Sequence, residues 1–147
     1  MNKRLSNKKR KFKFISKLSK IDKVYNETTN IINQILNYSN KVIENYKIRS
    51  NENTSPNIPK TEKNLRNQIQ DFTNLIEWKK FLNSFIEELD ILCIIEKSNL
   101  SMSFYPLNHI LIDSRKQLLE IHSNYNYKLK KQLIEKINSV LNTINSN

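Results

Sequence analysis

Apolar residues recur along the chain at helical spacing. Phe14, Leu18, Ile21, Tyr25, Thr28, Ile32, Ile35, Ser39, Val42 and Tyr46 step by alternate fours and threes, and eight of these ten are apolar. That seam predicts one long helix over about 12–49. Thr28 and Ser39 weaken it, and the polar run Asn26–Asn30 is a possible break. The stretch Ser50–Pro59 holds two prolines among polar turn formers and reads as a loop.

Thr61 is a suitable N-cap for a second helix over 61–97. Its seam runs Leu65, Ile69, Phe72, Leu75, Leu82, Phe85, Leu89 and Leu92, and Trp78, Phe81 and Ile95 widen it to a second face. A helix apolar over so much of its circumference is expected to be the most buried one. Ser98–Tyr105 reads as a second connection, and Pro106 suits the first turn of a third helix over 106–145. Leu107, Leu111, Leu118, Ile121, Leu129, Leu133, Ile137 and Val140 give its seam, with Ser123–Asn126 as an interruption. No period-two alternation persists. The expected fold is all-α: an elongated antiparallel three-helix bundle, becoming four or five helices where a long helix breaks. Asn51, Asn99 and Asn145 are the expected suppliers of left-handed caps.

Composition narrows the function. The 147 residues contain no Gly and, on inspection, no Ala, while Asn, Ile and Lys supply 63 of them. This bias points to a very A/T-rich coding genome. Without Gly there is no Rossmann or P-loop phosphate cradle and no Gly-framed nucleophile elbow. One Cys excludes an intrachain disulfide framework and a Cys-rich zinc site. The longest apolar run, Ile91–Ile95, is far below the ~20 residues that span a bilayer, and no apolar segment of secretory type follows the basic start.

The net charge of +11 is concentrated at one end. Residues 1–20 carry Lys3, Arg4, Lys8, Lys9, Arg10, Lys11, Lys13, Lys17 and Lys20 with no acid, whereas residues 21–147 carry 16 basic and 14 acidic groups. The chain thus divides into a basic N-terminal arm, 1–11, and a nearly neutral bundle, 12–147. Dense cations interleaved with Phe12 and Phe14 suit phosphate neutralisation and base stacking. An acid-free, Ser-containing basic start also fits an organelle-targeting segment or a tail touching anionic lipid.

Other candidate chemistry is sparse. His109 and His122 lack the Glu-x-x-His pairing of helical metal sites, so no metal site and no cofactor is expected. Arg115 and His122 share a helical face at a spacing that loosely resembles the Arg–His signature of HEPN ribonucleases, which are also small helical bundles. That match rests on two residues, with Lys116 at the position after the Arg that is often Asn, Asp or His. Glu87, Glu88, Asp90 and Glu96 read as a solvated acidic face, able to pair with the basic arm of this or another molecule, and Cys93 reads as an inert core thiol.

The sequence therefore leads to a non-enzymatic RNA-binding component of a ribonucleoprotein, such as an organellar or small-genome ribosomal protein. The arm would contact RNA through its nine basic residues, and the bundle would contact protein. The expected location is cytoplasm or an organellar matrix or stroma, not outside the cell. The alternative is a small helical protein-binding factor of the bacteriocin-immunity, antitoxin or phage-defence kind.

Overall fold

The computed structural model describes residues 2–51 and 62–146, with side chains from residue 9 to 47 and from 62 to 146. The predicted cap Thr61 and most of the predicted loop lie outside the described residues. Four helices follow in order: α1 (Asn2–Asn51), α2 (Glu62–Asn99), α3 (Tyr105–Glu120) and α4 (Tyr127–Asn145). No strand occurs among the described residues, and the all-α bundle holds.

The third predicted helix is divided in two. Between α3 and α4 the chain extends at Ile121 and turns at Asn126, which has φ 42° and accepts a hydrogen bond from Leu129 N through its side chain. The break folds α4 back along α3, so that both pack on α1. The first helix, by contrast, runs through Asn26–Asn30 without a break. Thr28 is fully buried there and returns its hydroxyl to Val24 O at 2.8 Å. Helix α1 also begins well before residue 12, so the backbone of the basic arm is part of α1 and not a separate segment.

The neighbours of α1 are set by contacts at both ends of the bundle. Tyr25 reaches Glu96 and Tyr46 reaches Asp71, so α2 runs antiparallel to α1. Gln34 meets Lys136 and Lys20 meets Ser146, so α4 is antiparallel too. Phe104 lies against Tyr25 and His122 lies against Asp71, which makes α3 parallel to α1. Helix α1 approaches all three others, whereas α2 comes close only to α1.

This arrangement corrects the expected ranking of burial. The central helix is α1, whose Ile21, Val24, Ile32, Ile35, Tyr38 and Val42 are all excluded from solvent. A helix with partners on two sides needs a broad apolar stripe, and doublets such as Val24–Tyr25, Ile31–Ile32 and Val42–Ile43 provide it. On α2 the buried positions form one narrow row: Asp71, Leu75, Leu82, Leu89 and Glu96. Phe72, Trp78, Phe85 and Leu92 are half-buried, and Phe81, Ile91, Ile94 and Ile95 are exposed. The wide apolar circumference of α2 is therefore half core and half surface.

Neighbouring positions on α2 should consequently differ sharply. Leu82→Ala empties a fully buried site and is expected to cost about 2–5 kcal/mol. Phe81→Ala trims a half-exposed ring and should cost less than about 1 kcal/mol. Denaturant midpoints of the two variants check this, and equal losses would contradict the assigned face.

Candidate nucleic-acid interface

The other three helices end together near residue 20 of α1. Asp22 pairs with Lys97 in the last turn of α2, and Lys20 Nζ donates to Ser146 O at 3.3 Å at the end of α4. Residues 2–19 of α1 therefore project past the bundle, over about 27 Å at 1.5 Å per residue. From Lys9 to Lys17 every side chain is exposed, including Phe12 at 78%.

Helical periodicity sorts this projection into two faces. Lys9, Lys13, Lys17 and Lys20 are separated by four, four and three residues, so they form one ridge with Arg10 at its edge. The ridge spans about 16 Å, the rise of about five nucleotides along one strand of a duplex. Phe14, Leu18 and Ile15, with Lys11 among them, lie on the other side. None of Lys9, Arg10, Lys11, Lys13 or Lys17 pairs with an acid among the described residues. Of the nine predicted phosphate contacts, six (Lys9 to Lys20) are thus placed with their side chains. Lys3, Arg4 and Lys8 have side chains outside the described residues, although their backbone continues α1.

Two carboxylates that the sequence reading did not single out or misread hold the bundle beneath this projection. Asp71 is buried and accepts from Tyr46 Oη, from His122 N at 2.9 Å and from Ser123 N at 3.3 Å, while its other oxygen meets His122 Nδ1 at 2.7 Å. It thereby supplies the acceptor for two amides of the extended connection after α3, which lie outside any helix. Glu96, expected on a solvated face, is buried instead. It accepts from Tyr25 Oη at 3.1 Å, Ser101 Oγ at 3.0 Å, Ser103 Oγ at 3.5 Å and Phe104 N at 3.4 Å. These bonds hold a connection in which Leu100, Met102 and Phe104 each have φ 49°. Left-handed backbone at such residues is costly. In a chain without Gly these residues, and not the expected Asn99, take the left-handed positions. Asp71 and Glu96 stand at the two ends of the buried leucine row of α2, and that spacing was the available sequence signal for both.

The remaining candidates have structural partners. Arg115 donates to Asn138 Oδ1 at 2.6 Å, while His122 is held by Asp71, so the Arg–His pair serves two separate contacts. His109 meets Tyr105 Oη at 3.2 Å. Burial raises the thiol pKa of Cys93, which favours the neutral form. No cluster of three or more His, Cys, Asp or Glu able to hold a metal occurs among the described residues, and no helix there is long and apolar enough to cross a membrane.

The buried tyrosines give the fold an alkaline limit. Burial, reinforced by the neighbouring Asp71 charge, pushes the Tyr38 hydroxyl up to about 12. Burial together with Glu96 raises Tyr25, and burial together with Asp71 raises Tyr46. A raised folded value means that stability is intact below about pH 10 and is lost as pH rises from there through the folded values. Lys130 acts in the opposite direction. Burial lowers its pKa, so its unfavourable charge is relieved over part of the same range. Three tyrosines outweigh one lysine, and the denaturation midpoint should fall steadily between about pH 10 and 12. A midpoint unchanged over that range, or early phenolate absorbance from a folded chain, would contradict these placements.

Comparison with known proteins finds no matching family model, no similar curated protein and no similar solved structure. The functional reading therefore rests on the geometry of this chain.

Proposed function

We propose that this protein is a non-enzymatic RNA-binding component of a ribonucleoprotein, in which the helical projection of α1 lies against phosphates and the bundle contacts protein. The observation that carries this reading is the ridge of Lys9, Lys13 and Lys17 on a helix standing clear of the bundle, continued by Lys20 where α1 enters it, with no acid paired to Lys9, Lys13 or Lys17 among the described residues. A rigid row of cations suits a regularly spaced polyanion, and release of counterions supplies sequence-independent affinity. The exposed Phe12 is available for stacking on an unpaired base. A ribosome of an organelle or a small genome is the setting we favour, which would place the chain in cytoplasm, matrix or stroma.

Isolation of the native protein tests this reading. Co-sedimentation with ribonucleoprotein particles, lost on ribonuclease treatment, is the expected result. Recovery in a nuclease-resistant complex with a single protein would favour a protein-binding immunity or antitoxin factor instead.

A further inference from the structure

The second face of the projection has a counterpart on the same molecule. Helix α2 exposes Ile91 at 61% and Ile94 at 63%, beside the exposed Glu87, Glu88 and Asp90. None of these acids pairs with a base among the described residues. The projection exposes Phe14 at 48% and Ile15 at 58% beside Arg10, Lys11 and Lys13. The two segments carry complementary patterns at identical spacing. Arg10, Lys11, Lys13, Phe14 and Leu18 correspond, at one constant offset, to Glu87, Glu88, Asp90, Ile91 and Ile95.

We propose that two copies of the chain form a twofold dimer in which the projection of each lies along the outer face of α2 of the other. Within one copy α1 and α2 are antiparallel and the projection begins where α2 ends, so the chain cannot bring its own two segments together. A twofold axis perpendicular to the bundle, passing near that shared end, reverses the second copy. Each projection then runs parallel to the other copy's α2 and beside its C-terminal half. Only a parallel pair keeps a constant offset in register, setting basic residues against acidic ones and Phe14 and Leu18 against Ile91 and Ile95. The symmetry repeats the contact twice, as expected of an isologous interface, and covers apolar surface that neither copy covers alone. Lys9 and Lys17 of the lysine ridge lie on the far side of the projection and stay open to solvent, whereas Lys13, at the rim between the two faces, meets Asp90. This dimer does not depend on the RNA reading.

Analytical ultracentrifugation of the full chain between about 1 and 200 μM provides the test. The expected mass approaches twice 17.6 kDa. Ile91→Lys changes an exposed residue set against Phe14 of the other copy and should weaken the dimer by about tenfold or more while leaving the monomer folded, as read by its helical circular dichroism. A charge exchange is more specific. A chain carrying Arg10→Glu and Lys11→Glu, and another carrying Glu87→Lys and Glu88→Lys, should each be monomeric alone and should form a heterodimer when mixed. A chain that stays at 17.6 kDa throughout would overturn the proposal. So would a dimer indifferent to both Ile91→Lys and the charge reversals, or a mixture that fails to associate. Dimerisation measured without RNA is read independently of any result with RNA.

Discussion

Deleting residues 1–11 is expected to lower RNA affinity by about two orders of magnitude at low salt while leaving the bundle folded. The deletion removes Lys3, Arg4, Lys8, Lys9, Arg10 and Lys11, six of the nine basic residues before position 21. About five of those six on phosphates of a single strand would account for a loss of this size. The fold should not notice. The first fully buried side chain of α1 is Ile21, and Lys9 to Lys17 are all exposed. Surface changes away from packed features are typically within about 0.5 kcal/mol, so the melting temperature should move by only a few degrees. Filter binding or fluorescence anisotropy, run beside a thermal melt, reads both quantities. A targeting segment gives another outcome, since mass spectrometry of native protein would find the N-terminus inside or just after the arm. An immunity or antitoxin factor would keep its protective activity without these residues.

The largest loss of stability should come from Asp71→Ala. The substitution leaves Tyr46 Oη and the amides of His122 and Ser123 without their acceptor, and Tyr46 and Ser123 are buried. Orphaned buried donors cost about 1–3 kcal/mol each before relaxation, which puts the total for this cluster at about 3–5 kcal/mol. We expect a loss in that range. Asp71→Asn keeps an acceptor oxygen and should recover part of it. Glu96→Ala should cost a comparable amount, because Tyr25, Ser101, Ser103 and Phe104 N all donate to it and the strained 100–104 connection depends on those bonds. The two carboxylates are about 37 Å apart along α2 and share no partner, so their effects should add to within about 0.5 kcal/mol. Urea midpoints of the two single variants and the double variant measure this. An Asp71→Ala midpoint close to that of the unaltered protein would show that the polar cluster does not hold the α3–α4 connection.

The helical seams were legible because each element buries one face at a period of 3.6. The turn signals at Ser98–Tyr105 and Ser123–Asn126 were legible as Ser- and Asn-containing runs between the apolar seams, and at the second of them Ser123 and Asn126 accept from the nearby amides of Tyr125 and Leu129. What periodicity could not supply was the order of the helices around the core. An apolar residue at helical spacing scores the same whether it meets another helix or solvent, so Phe81, Ile91, Ile94 and Ile95 made α2 look central. The broad stripe of α1 was hidden by Thr28 and Ser39, two small polar residues buried completely within it. Asp71 and Glu96 were obscured for the converse reason. A carboxylate in a seam looks like an interruption until tertiary donors arrive from elsewhere in the chain. The basic arm was legible in charge but not in shape. That it continues α1, and so sorts its cations into a ridge and its aromatic and aliphatic residues onto a second face, follows from the uninterrupted helix.

The most direct test of RNA binding by the ridge is the salt dependence of affinity for a single-stranded RNA. It compares the unaltered chain with one carrying Lys9→Gln, Lys13→Gln and Lys17→Gln. These substitutions keep the helix and remove three exposed cations that pair with no acid among the described residues. At about 0.7 per phosphate contact, the slope of log K against log salt should become shallower by about two units, with affinity reduced for every RNA sequence alike. An unchanged slope and affinity would contradict the account.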